Sequence, residues 1–435
     1  MPRKVVTNWG NYPVIEADVT AVSSRSDIAK LIADKDHLIA RGNGRCYGDA
    51  SLGSNIFSAL RLNKFLAFDA KNATIECESG VLLLDILDVI VPKGFFLPVT
   101  PGTKFITVGG AIAADVHGKN HHVDGSFASH IEHFALMNEN GDVIRCSPDE
   151  NELLFWQTCG GMGLTGVILS AKFRLKRIET AFITHISRKT RDIESTMKAF
   201  EIASGSTYSV AWLDCFGTSK SLGRSILQLG EHASIDDLPD GLRSDPLRLS
   251  TGAKASVPFY FPSFTLNRLT VTAFNTAYYN RQIREETRGV IRFDPFFYPL
   301  DGVRDWNRIY GLRGFVQYQF VLPLDQSFDG LVKVLEKVRR SGHGSPLAVL
   351  KLFGENDPRS VMSFPMKGYT LALDFKVNEQ VFRLLDELDD IVAEHQGRIY
   401  LAKDARMSAK FFKESYKERI SSAYFRSAQS TRLEY

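Results

Sequence analysis

The sequence predicts a two-domain α+β protein, and three observations carry that expectation. Its 435 residues exceed what one ordinary core accommodates, so two cores are expected. Residues 1–180 are rich in short β-type runs separated by glycine, whereas 181–400 hold long apolar strands and amphipathic helices. Strand, helix and strand in that later order suggest an antiparallel sheet covered on one face.

In chain order, "HLIARGNGRCYGD", "ATIECESGVLLLDILDVI", "FALMNENGDVIRC" and "GLTGVILSAKFRL" read as β-type runs. "NENGDVIRC" reads as a hairpin, with Asn140-Gly141 supplying the positive φ angles of a tight turn. Beyond Ala181, "GFVQYQFVLPL" and "YTLALDFKV" read as strands, and "FDGLVKVLEKVRRSG" and "VFRLLDELDDIVAEHQG" as helices. The stretch "YLAKDARMSAKFFKESYKERISSAY" is a strand end followed by a basic helix whose place periodicity does not settle.

Composition narrows the function classes. Hydrophobic residues at 44% and charged residues at 24% describe a soluble globular chain, and a net charge of +3 gives no reason to expect nucleic acid. The five cysteines, at 46, 77, 146, 159 and 215, are scattered without a CxxC, which argues against a disulfide framework or a thiolate zinc site and for a reducing, cytoplasmic setting. The N-terminus lacks the apolar core of a signal peptide. The most apolar run, "GVLLLDILDVIVPKGFFLPV", is broken by Asp85, Asp88 and Lys93, short of the roughly 18 uninterrupted residues a membrane helix needs. Spanning a bilayer is excluded on this reading, and resting on its surface is not.

The chemistry lies in three glycine clusters: "ARGNGRCYGD" (40–49), "PGTKFITVGGAIAADVHGKNHH" (101–122) and "CGGMGLTGVI" (159–168). Glycine lets the backbone approach a ligand and aim its N–H groups at an anion. Gly42, Gly44 and Gly48, with Arg41 and Arg45 beside them, make a diphosphate the natural guest. No helix of the right length follows, as a dinucleotide-binding G-x-G-x-x-G would need, and no G-K-[ST] closes a P-loop. Five of the ten histidines, 117, 121, 122, 130 and 133, fall in one stretch. Gly118 disfavours a helix joining His117 to His121, and no Glu stands between them as in a zinc H-E-x-x-H, so no metal is expected. His130 and His133 read as loop histidines satisfied by backbone hydrogen bonds, while His121 and His122 stay open. Gln317 and Gln319 lie two apart on one strand face, with Tyr318 opposite, so both amides can enter one cavity. Lys351, Asp374 and Lys403 are flanked by apolar residues, which calls for partners or function.

The order "RGNGRCYGD", "PGT…TVGGAIAADVHGKNHH…GSF", "GGMGLTGVI", with "GFVQYQF", "KLFG" and "YLAKDAR", resembles FAD-dependent oxidases of the vanillyl-alcohol oxidase class, and within it the decaprenylphosphoryl-β-D-ribose oxidases. The resemblance implies an FAD domain built from 1–180 and 401–435, with 181–400 inserted as a substrate domain. It implies FAD contacts from Arg41, Gly42, Asn43, Gly44, Arg45, Cys46, Tyr47 and Gly48, and from Pro101, Gly102, Thr103, Val108, Gly109, Gly110, Ala113, His117, Gly118 and Asn120. Gly163, Gly166, Val167, Ile168, Tyr400 and Lys403 complete that set. Arg45 stands where members that tether the ring usually carry histidine, so FAD is expected to be non-covalent, and Cys46 reads as a small packed thiol. Tyr47, Lys119, Tyr310, Gln317, Gln319, Lys351, Thr370, Ala372 and Asp374 are implied to contact substrate.

Lys403, with His117, is implied to orient and deprotonate the 2-hydroxyl of a polyprenyl-phosphoryl-ribose as hydride leaves C2; its charge would also stabilise reduced flavin. An NAD(P)H-dependent short-chain reductase would then complete epimerisation to the arabinose form. The segment 257–284, with seven aromatics and Arg268, Arg281 and Arg284, suits contact with lipid and phosphate, and an ordinary packed hairpin suits it equally. Two features depart from the family. Thr370 and Ala372 replace an Asn-x-Cys pair common in actinobacterial members, and the connection before "FRSAQSTRLEY" is short. A free-sugar lactone or alditol oxidase, and a non-enzymatic binding module on the same fold, stay as alternatives.

Overall fold

The computed structural model describes residues 3–249 and 255–435, so the first two residues of the 1–180 segment and 250–254 of the 181–400 segment lie outside it. A four-stranded mixed sheet runs in the order Lys4–Thr7, Val14–Ala21, Asn55–Ser58, Ile39–Arg41, with parallel pairing on both sides of the third strand. An antiparallel five-stranded sheet follows, ordered Phe65–Asp69, Thr74–Glu78, Val167–Arg174, Ile131–Met137, Val143–Cys146. The last two strands form the expected hairpin: the Asn138 side chain accepts from the N–H groups of Asn140 and Asp142, and Gly141 alone takes a positive φ, 82°. The run after Gly80, expected to be extended, is instead a helix, Leu83–Ile90. Leu83, Ile86, Leu87 and Ile90 are buried at the spacing of one helical face, and that period decides the local structure.

Residues 182–399 build an eight-stranded antiparallel sheet, ordered Glu286–Arg292, Phe182–Thr190, Ser225–His232, Tyr208–Leu213, Ala348–Phe353, Gly368–Lys376, Phe315–Pro323, Arg398–Ile399. Helices Ile193–Ile202, Ser327–Ser341 and Glu379–Glu394 cover one face. Leu331, Val334, Leu335 and Val338 of the second, and Leu384, Leu385, Leu388 and Val392 of the third, pack on Tyr318, Phe320, Leu371, Leu373 and Phe375 from the strands. Because successive strand residues face opposite ways, the alternate positions of the same strands are turned from the helices. Segment 257–284 is not a hairpin: Asn267 caps a helix, Arg268–Asn280, by accepting from the N–H groups of Leu269 and Thr270.

The chain's end returns to its beginning. Phe425 pairs with Leu38, the Ala428 N–H donates to the Leu52 carbonyl (2.6 Å), and Arg432 from helix Ala428–Leu433 bridges Asp49 (2.9 Å) and Asp404 (2.7 Å). Both carboxylates are buried, so the guanidinium is what makes their charge tolerable there. Arg432→Met is expected to cost about 3 to 5 kcal/mol, the range for breaking a buried pair from one side. Urea unfolding checks this, and a loss below about 1 kcal/mol would mean the two carboxylates do not depend on Arg432.

Candidate active site

A cavity of about 770 Å³ separates the glycine loops from the uncovered face of the eight-stranded sheet. Its loop walls come from 42–47, 100–107, 109–117 and 163–168. Gly42 is required by close packing, since a Cβ there would meet the Thr107 hydroxyl at 2.3 Å, and Gly44 takes a φ of 61°. Among the described residues no acceptor meets the N–H groups of Gly42, Asn43, Gly44, Arg45 and Cys46. Successive unpaired N–H groups of this kind form a concavity suited to an anion. The buried Ser79 hydroxyl lines the same space, also without a partner among the described residues.

The floor is a grid set by strand register. Trp212 pairs with Val349, Val349 with Ala372, and Ala372 with Gln319, so these four side chains form one row across four strands. Beside it lie the cross-strand pairs Lys351 with Thr370 and Gln317 with Asp374. The Gln317 amide donates to Asp374 (2.6 Å), and the Tyr310 hydroxyl donates to the same carboxylate (3.3 Å) from behind. Tyr318 points the other way and donates to Asp389 under the helices (3.0 Å). Lys403 arrives on the turn after Arg398–Ile399, its Nζ 3.7 Å from the centre of the Tyr47 ring.

His117 sits at the back, packed on Phe353 (4.7 Å between ring centres) and Tyr400 (5.4 Å), with Nε2 3.1 Å from the Gln319 amide nitrogen. The turn before it is pinned by Asp115, at a φ of 37°, whose carboxylate accepts from the Ala128 N–H (3.0 Å) and from the Ser363 hydroxyl. Burial, with Lys351, His121 and Lys403 adding repulsion, pushes His117 well below the ordinary imidazole value, so it is neutral at physiological pH. Burial also moves the lysines: Lys119 falls to about 7 and Lys351 to about 8. Lys403 and Asp374 form a coupled pair, the amine pushed down and the carboxyl up, chiefly by burial in each case.

Most of the residues singled out from sequence line this one cavity, but Arg41, Gly48, Val108, Gly118, Asn120 and Tyr310 do not. Arg41 donates to the Asn8 side chain and the Thr7 carbonyl, so its charge is directed at the first strand. Gly48 is small because a Cβ would lie 1.7 Å from the Asp404 carbonyl oxygen. Arg45 does line the cavity, but its guanidinium stacks on Trp9 (4.0 Å), leaving the backbone as the anion-facing element of that loop. Cys46 lies 3.3 Å from the Ser51 hydroxyl, and Lys119 donates to the Phe296 carbonyl.

His133 is not in a loop but in strand Ile131–Met137, beside Arg145 (3.1 Å) and Glu76 (3.7 Å); the His130 ring donates to the Asp124 carbonyl (2.8 Å). The His122 ring donates to the Ser206 carbonyl (2.8 Å), whereas neither nitrogen of His121 has a partner among the described residues. Trp9, Ser79, Trp212 and Asp301 were not singled out from sequence. Trp212 could have been found once its strand was set in register with "VLKLFG"; the others carry no local signal.

Loops with free N–H groups across from three cavity-lining lysines define an anion-binding cavity, and comparison with known proteins gives its class. A profile for an FAD binding domain matches residues 18–147, and the protein is an FAD-dependent oxidoreductase. The decaprenylphosphoryl-β-D-ribose oxidase of Mycolicibacterium smegmatis is 34% identical over 423 residues, 95% of this chain and 91% of the relative. The chain belongs to that oxidase family. An "uncharacterized protein in mprA 5'region" of Streptomyces coelicolor is 31% identical over 75% of this chain and 90% of its own length. The L-gulonolactone oxidase of Mus musculus is 26% identical over 45% of this chain and 46% of its own length.

The lysine shifts predict how stability follows pH in protein stripped of cofactor. Unfolded lysine titrates near about 10.4, above the folded values of Lys119 and Lys351, so the unfolded state binds more protons between the two. The penalty for folding around charged lysines is complete below about pH 7 and fades as pH rises towards 10, so the melting temperature should climb from pH 7 to 9. A Lys119→Met, Lys351→Met double variant should reduce that climb, leaving the share of Lys403; an unchanged slope would show that the two replaced amines do not titrate in this range.

Proposed function

We propose that this chain oxidises the 2-hydroxyl of a polyprenyl-phosphoryl-β-D-ribose-like sugar to the 2-keto intermediate, the first half of a 2'-epimerisation to the arabinose form. The observation that carries this reading is the floor itself: two amides, a carboxylate and Lys351 held in register, with Lys119 and Lys403 lining the same cavity across from the glycine loops. Such a surface matches a polyhydroxylated, phosphorylated ligand. In the same reading residues 1–180 and 401–435 form the FAD domain and 181–400 the substrate domain. The contacts of Arg432 with Asp49 and Asp404 support joining the two chain ends.

The residues present fit FAD. The unpaired N–H groups of 42–46, the open space around Gly102 and the unpartnered Ser79 hydroxyl suit a dinucleotide. No histidine stands at 45, and the Cys46 thiol is raised by burial, which supports non-covalent binding. When bound, FAD supplies the two-electron acceptor for hydride leaving a carbinol carbon. The chain's own part is to orient the sugar and move its proton. Lys403, depressed by burial, holds a neutral amine fraction near neutral pH and takes the hydroxyl proton. Asp374, fixed by Gln317 and Tyr310, steadies the ammonium so formed. In the same reading Lys119 and Lys351, which line the cavity, meet phosphate or hydroxyl oxygens of the ligand.

The lipid tail would leave past Phe274, Tyr278 and Arg281, which line the cavity on helix Arg268–Asn280 and just after it. Phe259, Phe264 and Leu269 nearby in sequence are exposed, a surface suited to resting on a bilayer. Among the described residues no helix is long and apolar enough to cross a membrane. We place the protein in the cytoplasm with peripheral membrane contact, and assign completion of the epimerisation to an NAD(P)H-dependent short-chain reductase.

The test is the absorbance spectrum of purified protein before and after acid precipitation, then anaerobic titration with a farnesyl-phosphoryl-ribose analogue. Flavin that leaves with the supernatant and bleaches with the analogue is expected. Flavin retained in the pellet would refute non-covalent binding, and bleaching by free sugar lactones alone would move the assignment to a small-sugar oxidase. Lys403→Met should slow bleaching by about 100-fold or more, the lower end of what general-base catalysis supplies. Because the neutral amine is the acceptor, the wild-type rate should rise with pH, with an apparent pKa below the ordinary lysine range, and the variant should lose that rise.

A further inference from the structure

We propose that Thr370 is a positioning residue that holds the Gln319 amide with its NH2 turned to the protein and its carbonyl Oε1 turned into the cavity. That makes this point of the floor an acceptor reserved for a hydroxyl donor. The orientation follows from one short contact. The Thr370 Oγ1 lies 2.7 Å from the Phe320 carbonyl oxygen, which can only accept, so the hydroxyl hydrogen is committed there. The same Oγ1 is then an acceptor towards everything else, and the Gln319 atom 3.3 Å away must be the donor, Nε2. With the amide reversed, two oxygens would face each other with no hydrogen between them, unless the shorter bond to Phe320 were given up.

The second amide hydrogen points at His117 Nε2, 3.1 Å away. That ring nitrogen is therefore the unprotonated one, and Nδ1 carries the hydrogen. Both hydrogens of the Gln319 amide are thus used within the protein. Oε1 accepts no hydrogen bond among the described residues, and Gln319 lines the cavity. Two consequences follow. The lone pair of His117 Nε2 is capped by the amide, so His117 does not receive the substrate proton and that role is left to Lys403. And a ligand atom reaching Gln319 must bring a hydrogen: a hydroxyl satisfies it, whereas fluorine at the same carbon leaves two acceptors opposed. Only the identity of that hydroxyl rests on the sugar-oxidase reading; the polarity of the triad does not.

The experiment uses FAD-loaded enzyme labelled with 15N-histidine, with the His117 signals assigned by their loss in His117→Phe. Long-range proton–nitrogen spectra should show an unprotonated Nε2 and a protonated Nδ1. Thr370→Val keeps the shape but removes the acceptor, and should mix the tautomers and weaken binding of the farnesyl-phosphoryl-ribose analogue about five- to tenfold, the worth of one net hydrogen bond. Thr370→Ser should restore the tautomer and bring affinity within about twofold of wild type. A protonated Nε2 in the wild type, or a Thr370→Val variant with unchanged tautomer and affinity, would overturn the proposal. An analogue that fails to bind wild-type enzyme would count against the substrate reading alone, because the nitrogen spectra decide the amide orientation by themselves.

Discussion

Strict alternation along the strands of the eight-stranded sheet is the constraint on which the site depends. In Phe315–Pro323, Gln317 and Gln319 face the cavity while Tyr318 and Phe320 face the helices. A slip of one residue would press two amides against an apolar helix layer and turn a phenol and a phenyl ring into the cavity. The register is held from both sides: Tyr318 donates to Asp389 beneath helix Glu379–Glu394, and Gln317 donates to Asp374 above. Packing and polar chemistry are therefore specified by the same pairing, and neither face can change its register without the other.

Enclosing Lys119, Lys351 and Lys403 around a single floor carboxylate, Asp374, carries a desolvation cost. The depressed amines record that cost: each is easier to deprotonate than a solvated lysine. The same cost gives an anion or a hydroxyl oxygen a reason to bind, because it returns to the amines the partners lost on leaving water. Histidine behaves differently in this setting. His117 is driven neutral and its Nε2 meets an amide, so its contribution is shape and hydrogen-bond polarity, not charge.

The strands and long helices of 181–400 were legible because their apolar residues repeat with periods of 2 and 3.6, and those periods are what packing rewards. Gln317, Gln319, Lys351 and Asp374 stood out because polar groups in apolar runs need partners. The helix Leu83–Ile90 was hidden because its short, nearly continuous apolar run closely follows a strand, although its buried residues keep helical spacing. The strand position of His133 and the outward turn of Arg41 depend on neighbours 12 or more residues away, which no local window contains. Trp9 and Asp301 lack any local sign. They enter the site only because distant segments fold around Arg45 and the loop at Lys104.

The proposed base shows how far such long-range placement reaches. Tyr47 and Lys403 lie at opposite ends of the sequence, yet the Tyr47 N–H donates to the Ala402 carbonyl (3.0 Å), and Gly48 allows the backbone of Asp404 to close against it. Asp404 in turn accepts the N–H groups of Arg406 (2.9 Å) and Met407 (2.7 Å), so the turn carrying Lys403 is tied at both ends. Arg432 then clamps Asp404 to Asp49, two residues beyond Tyr47. The clamp lies on the return segment and the amine on the cavity side of the same turn. Neutralising the buried carboxylates therefore also fixes the turn that carries Lys403, and helix Ala428–Leu433 supports that turn without lining the cavity.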